Sequence, residues 1–267
     1  MSSRLIVIGG GKMGAALVAG LLGAGWSSND LVIIQHGAAK ADALRERFTG
    51  VIVKESLDTS DVDEQTGVVL CVKPDYAEGV ARLCSAAGVR RVLSVVAGLS
   101  TDRLQACFVA PTAIIRSMPN TPVLVGKGVS AITGGAHCTS ADLDWAESIL
   151  GAVGIVVRVT ERQIDAVSGL SGPMPAYLYM VVEALIEAGV HQGLSRDVSS
   201  KLVTASFEGS AALLSQSGER PEELRAQVTS PGGVTAAGLR MLENRAVRAA
   251  FLEAVASAAE RSRNMAR

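Results

Sequence analysis

Aromatic side chains are scarce: two Trp, three Tyr and four Phe among 267 residues, 3% of the chain. A core with so few rings must be filled by Ala, Val and Leu, and such small side chains suit closely packed helices. A charge imbalance is missing too. Twenty-five Lys and Arg stand against 26 Asp and Glu, a formal net charge of −1 with the signs intermixed. The basic footprint of a nucleic-acid binder is therefore absent, and no nucleic-acid partner is expected. Only three histidines occur, His36, His137 and His191, in unrelated places, and each reads as structural or exposed rather than as a catalytic base. The four cysteines, Cys71, Cys84, Cys107 and Cys138, are scattered without metal-ligand spacing. They read as reduced thiols of a cytoplasmic protein, and no metal site is expected. No apolar run approaches the roughly 18 residues of a membrane span. The opening run MSSRLIVIGGGKMG has too short an apolar stretch for a signal peptide and ends in glycines.

Hydrophobic residues, in contrast, make up 48% and charged residues 19%, enough to bury a sizeable core in one large or two modest domains. The first part alternates short β-branched runs with helical patterns. Strands are expected at Leu5–Ile8, Leu31–Ile34, Val51–Val53, Val68–Val72, Val92–Val96, Ala113–Arg116 and Gly128–Thr133. Helices are expected at Ala15–Leu22 and Ala38–Phe48. Several strands are continuous apolar runs, as in a parallel sheet covered on both faces. The alternation predicts a Rossmann-type doubly wound α/β domain over residues 1–160.

From about Thr160 the pattern becomes helical, predicting an all-α domain over residues 161–267. Pro175–Ala188 is apolar and small, with Gly189 read as its stop. Ser195 and Asp197 mark a helix start reaching about Ser215, Pro221 opens a short charged helix, and Thr235–Leu242 and Arg245–Arg263 complete the set. A handful of Ala-rich helices makes a thin core, so this half is expected to bury its surface against a second copy of the chain.

Chemistry-bearing motifs cluster at strand ends. Gly9-Gly10-Gly11-Lys12-Met13-Gly14 fits G-x-G-x-x-G between a strand and a helix. Gly9 permits the tight turn, Gly11 lets the backbone approach a diphosphate, and Gly14 lets helix and strand pack closely. The helix N-terminus then offers N–H groups and a positive dipole end to phosphate oxygens. An NAD binder usually carries an acid at the end of the second strand. Here that end reads Ile34-Gln35-His36-Gly37, with Lys40 beyond. The missing carboxylate removes a repulsion against a 2′-phosphate, and Gln35 and His36 are candidate donors to it, which favours NADPH with NADH allowed. Lys40 is either a further cation there or a solvated helix-face lysine. Cys71-Val72-Lys73-Pro74, Ala97-Gly98 and Met118-Pro119-Asn120-Thr121-Pro122 close three more strands with small, rigid or polar residues, as the walls of one crevice would require.

Late in the chain, Val228-Thr229-Ser230-Pro231-Gly232-Gly233-Val234-Thr235 places three breakers at a helix mouth. Consecutive N–H groups at a glycine turn entering a helix form an anion nest, and Ser230 and Thr235 add hydroxyls. The nest suits a carboxylate with a neighbouring nitrogen; the alternative is an ordinary helix connection with Thr235 as N-cap.

These motifs together resemble the pyrroline-5-carboxylate reductases over essentially the whole length. The residues that carry the resemblance are IGGGKMG, CVKP, SMPNTPVLVGKG, DAVSGLSG, PAY at Pro175–Tyr177 and above all VTSPGGVT. It implies reduction of the ring C=N bond of 1-pyrroline-5-carboxylate to L-proline with NADPH or NADH. It implies that Ile8–Met13 hold the diphosphate, that Val72, Lys73, Pro74, Ala97 and Gly98 line the cofactor path, and that Asn120 and Thr121 lie near the nicotinamide. It assigns substrate binding to Val228, Ser230, Gly232, Gly233, Val234 and Thr235, with Thr235 as the catalytic hydroxyl, and a homodimer through the C-terminal helices that can build a larger ring. One departure stands out: the family usually reads SGSGPAY where this chain has Ser171-Gly172-Pro173-Met174-Pro175-Ala176-Tyr177. That leaves open a reductase of another cyclic imine, or a catalytically inactive NADP-binding regulator. A β-hydroxyacid dehydrogenase is disfavoured because Gly169–Tyr177 contains no lysine.

Overall fold

In the computed structural model, which describes residues 4–265, the apolar runs form an eight-stranded sheet. Its strands are β1 (Leu5–Ile8), β2 (Leu31–Ile34), β3 (Ile52–Lys54), β4 (Gly67–Leu70), β5 (Arg91–Ser94), β6 (Ala113–Pro119), β7 (Gly128–Gly134) and β8 (Gly154–Arg158). They lie in the order β3-β2-β1-β4-β5-β6-β7-β8. The first six are mutually parallel, and β7 runs antiparallel to β6. The β6–β7 connection is a short 3-10 turn ending at Gly126, whose φ is +68°, a reversal that antiparallel neighbours permit. The order of the first six strands is the doubly wound one that binds dinucleotides at the carboxyl edge.

Residues of β1 and β2 alternate between two cores. Leu5, Val7, Leu31 and Ile33 face one side with α1 (Lys12–Gly23), α2 (Ala38–Arg47) and α5 (Ser140–Leu150); Ile6, Ile8, Val32 and Ile34 face the other with α3 (Pro74–Ala86) and α4 (Thr101–Gln105). Burial on both faces explains why these strands read as unbroken apolar runs. The helices meet the sheet with Ala15, Ala16, Ala77 and Ala81, so the shortage of rings is met by close approach.

The remaining helices are α6 (Glu161–Leu170), α7 (Met174–His191), α8 (Arg196–Ser217), α9 (Pro221–Gln227), α10 (Val234–Asn244) and α11 (Val247–Met265). By contacts the chain forms two compact units: residues up to Pro173 together with the segment from Ser257 onward, and Met174–Ala256. In the first, α6 is tied to β6 by the buried Arg116, whose guanidinium donates to Glu161 at 2.5 Å. In the second, α7 and α8 cross closely. Among its described residues only Pro175 and Ser199 are buried, whereas Leu178, Tyr179, Met180, Leu202 and Leu252 are exposed.

Among the departures from the sequence reading, which include the additional helices α3 to α6, three are informative. Gly189 does not stop α7, which continues to His191. A Cβ on Gly189 would stand 2.6 Å from Ser199 Oγ, so this glycine serves the α7–α8 crossing, and Gly193, at φ +95°, follows the helix end instead. Thr235 does not open α10: Gly233 is the N-cap and Val234 the first helical residue. β8 is an additional edge strand, where Ile155 and Val157 remain exposed.

Candidate active site

The glycine turn is built as its spacing demands. Gly9 has φ +105°, and a Cβ there would meet Cys71 O at 2.4 Å. A Cβ on Gly14 would meet Gly9 O at 2.0 Å. Gly10 is closely packed as well: a Cβ there would lie 2.3 Å from a terminal methyl of Leu44 in α2, which would have to move. Gly11 differs: nothing lies within 4 Å of its would-be Cβ. It is the N-cap of α1, no side chain caps the helix, and the first turn holds no acid. The opening N–H groups of α1 therefore face open space, a cradle that fits a diphosphate in both shape and charge.

Gln35 takes a different part from the one its sequence position suggests. Its Oε1 accepts from Gly10 N at 2.9 Å and its Nε2 donates to His36 O at 2.8 Å. The amide clamps the glycine turn to the end of β2 rather than pointing outward. His36 and Lys40 are exposed beside it, and no carboxylate follows Ile34 at the strand end.

At the end of β4, Lys73 is the N-cap of α3 and is exposed, with Pro74 at the first helical position. Burial pushes the thiols of Cys71 and Cys84 up to about 12, so neither supplies a thiolate nucleophile near neutrality. Gly98 takes φ +72°. With Pro74, Ala97, Arg103 and Met265 it lines a cleft of about 350 Å³.

A second cleft, of about 420 Å³, brings Met13 of the glycine turn together with Asn120 and Thr121. Asn120 is only 9% exposed. Its Nδ2 donates to Ser171 O at 3.3 Å and its Oδ1 accepts from Val129 N at 3.0 Å. It holds the β6–β7 turn and the end of α6 in register, while Thr121 stays exposed. Ser168, Pro173, Ala258 and Arg261 also line this cleft. Sequence reasoning did not single out Ser168, Ala258 or Arg261 as site residues. Ser168 lies within the DAVSGLSG motif, but nothing local marks Arg261. A more polar cleft, lined by Arg90, Arg91, His137 and Asp142, opens at the amino ends of β4–β6. Arg91 is already paired with Asp142 at 2.8 Å and lies over the Trp145 ring. Doubly wound sheets use the opposite, carboxyl edge, and the glycine turn lies there.

In the second unit, the VTSPGGVT segment joins α9 to α10. Thr229 Oγ1 donates to Arg225 O at 2.6 Å, closing α9. Gly232 has φ +69°. Gly233 takes an ordinary φ of −77°, but its Cβ would lie 2.3 Å from Ser230 Oγ, so one glycine serves the turn and the other a close approach. No side chain caps α10 and its first turn carries no acid. Ser230, Val234 and Thr235 are exposed, Val234 at 93%. The turn is thus an uncapped, glycine-built helix mouth, as at Gly11.

Known proteins are similar to this chain over nearly its whole length. The family model described as pyrroline-5-carboxylate reductase dimerisation matches residues 161–265. One described as NADP oxidoreductase coenzyme F420-dependent matches residues 4–98. A pyrroline-5-carboxylate reductase of Corynebacterium melassecola is 39% identical, with 98% of each chain covered. That of Synechocystis is 37% identical, with 99% of each covered. Among solved structures, a pyrroline-5-carboxylate reductase from Coxiella burnetii superposes with a TM-score of 0.94 at 30% identity, covering 100% of both chains. One from Plasmodium falciparum, with NADP bound, gives 0.82 at 29% identity over 99% of this chain and 98% of that one. From its glycine turn to its last helix, this chain belongs to the pyrroline-5-carboxylate reductase family.

Proposed function

We propose that this protein reduces 1-pyrroline-5-carboxylate to L-proline, the last step of proline biosynthesis, with NADPH as the preferred and NADH as an accepted cofactor. The observation that carries the reading is that two of the uncapped, glycine-built helix mouths lie within the motifs, Gly11 in the G-x-G-x-x-G turn and Gly233 in VTSPGGVT. A reductase of this substrate must hold two anions, a diphosphate and a carboxylate, and each mouth suits one of them.

When bound, the cofactor would supply a hydride to the imine carbon. The N–H groups at Gly11–Met13 would hold its diphosphate, and Val72, Lys73, Pro74, Ala97 and Gly98 would line its path. Asn120 acts as a positioning residue for the turn that carries Thr121. The turn from Val228 to Thr235 would take the substrate carboxylate on the N–H groups after Gly232, with Ser230 adding a donor. The Thr235 hydroxyl would donate to the nitrogen of the neutral imine, orienting it and assisting its protonation by a proton drawn from solvent, and hydride addition to the protonated imine then gives the neutral amine. A protonated cyclic imine is already a good hydride acceptor, so alignment and exclusion of water are the main demands. The VTSPGGVT stretch holds no strong acid or nucleophile, which agrees with this. We further propose a dinucleotide-binding domain over residues 1–160, a dimerisation and substrate-binding domain over 161–267, a cytoplasmic location, and a homodimer able to join a larger ring.

The test is consumption of NADPH and of NADH with pyrroline-5-carboxylate by the unaltered chain and by Thr235→Ala. Turnover by the unaltered chain, reduced about tenfold to a thousandfold in the variant, is expected. Equal turnover in both would remove Thr235 from the reaction. Cofactor binding with no turnover would favour the inactive regulator.

A further inference from the structure

The final turns of α11 belong to the first unit and present one stripe to its crevice. Ala258, Arg261, Ser262 and Met265 stand at i, i+3, i+4 and i+7, a single helix face. Ala258 and Arg261 line the cleft shared with Met13 and Asn120. Ser262 Oγ donates to Asp165 Oδ1 at 2.8 Å and fixes the register against α6. Met265 lies 3.6 Å from the position a Gly98 Cβ would take, at the neighbouring cleft. The stripe therefore runs along the crevice from the Met13 end to the Gly98 end.

Arg261 is the only charged side chain among the described residues lining the cleft. None of the ion pairs among the described residues involves it. A long, exposed cation with no carboxylate partner among the described residues, lining the same cleft as Met13 of the first turn of α1, suits an anion that arrives with a ligand. We infer that Arg261 is a cofactor-binding residue whose guanidinium takes the diphosphate of the dinucleotide, opposite the N–H groups of α1. The inference rests on the reductase reading. The substrate carboxylate has a separate candidate nest on the other unit, which leaves the diphosphate as the anion expected beside Met13. Backbone N–H groups give only partial charge, whereas a guanidinium adds a full one and a planar fork matched to phosphate oxygens.

The test measures binding of NADPH and of ADP-ribose, which carries the diphosphate but neither the nicotinamide nor a 2′-phosphate. Arg261→Gln should weaken both by a similar factor, about five- to fiftyfold at low salt, with the loss shrinking as ionic strength rises. Arg261→Lys, which keeps the charge without the fork, should fall between. The thermal midpoint and the affinity for adenosine 2′-phosphate should not move. Unchanged ADP-ribose affinity in both variants would overturn the assignment; if KM for pyrroline-5-carboxylate then rose alone, the guanidinium would be addressing the substrate instead. A drop in thermal midpoint with no change in ADP-ribose binding by the folded fraction would make Arg261 structural and would equally overturn it. Failure of the unaltered chain to bind either ligand would count against the cofactor reading itself.

Discussion

Gly9 and Gly11, two residues apart, stand in opposite surroundings. Gly9 is held at φ +105° with Cys71 O 2.4 Å from its would-be Cβ, so an alanine there collides with the end of β4 in a backbone region that L residues avoid. Gly11 has φ −67° and open space at the same position. Gly9→Ala should lower stability by about 2 kcal/mol or more, read as a drop in thermal midpoint. Gly11→Ala should leave the midpoint unchanged and raise KM for the cofactor several-fold, because its methyl enters the space reserved for the ligand. A loss of stability in Gly11→Ala would mean that this face of the turn is packed rather than open. The G-x-G-x-x-G spacing made the turn legible in the sequence, since each glycine answers a short-range steric demand. The role of Gln35 was not legible. Its partner Gly10 is 25 residues away in sequence, and only the pairing of β1 with β2 brings the amide onto the turn.

Helix α6 organises the cleft at the scale of elements. Glu161 ties it to Arg116 of β6, Asp165 ties it to Ser262 of α11, and the Ser171 carbonyl that follows it accepts from Asn120. The Pro173-Met174 pair comes directly after. Pro173 lines the cleft beside Asn120, and Met174 opens α7. Proline at this point costs no helical hydrogen bond, because the N–H groups of a first turn have no intrahelical acceptor. Its effect is expected on the cleft wall and not on the fold. The double substitution Pro173→Ser with Met174→Gly should raise turnover about threefold or more if the ring and thioether crowd the site. An unchanged rate with an unchanged KM would make the pair a neutral variation. The strands before β8, the first two helices and those from α7 onward were legible from apolar periodicity, whereas α3, α4, α5 and α6 were not singled out. The exceptions are instructive: Gly189 looks like a stop in one dimension, but its small size answers a contact with Ser199 on another helix. The edge strand β8 lacks the burial on both faces that makes β1, β2 and β4 conspicuous.

For the molecule as a whole, the second unit is the part that the isolated chain leaves incomplete. Its helices expose Leu178, Met180, Leu202, Met241 and Leu252, more apolar surface than a monomeric helical unit normally leaves in water. The family model matching residues 161–265 is a dimerisation domain. Solution scattering should therefore give the mass of a dimer or a multiple of it, and the thermal midpoint should rise with protein concentration. A monomer at micromolar concentration with a concentration-independent midpoint would contradict this. The thin, aromatic-poor helical half already suggested a missing partner in the sequence. Which residues face that partner was not legible there, because small alanines cover every side of α11.

The central claim is that the glycine-built helix mouth at Gly11 takes a diphosphate and the one at Gly233 a carboxylate. A crystal structure of the protein with NADP⁺ and L-proline tests it most directly. The diphosphate oxygens should accept from N–H groups at Gly11–Met13, and the proline carboxylate from N–H groups at Gly233–Thr235, with the Thr235 hydroxyl on the ring nitrogen. Proline held through a side-chain cation elsewhere, with no ligand at Gly233–Thr235, would contradict the account.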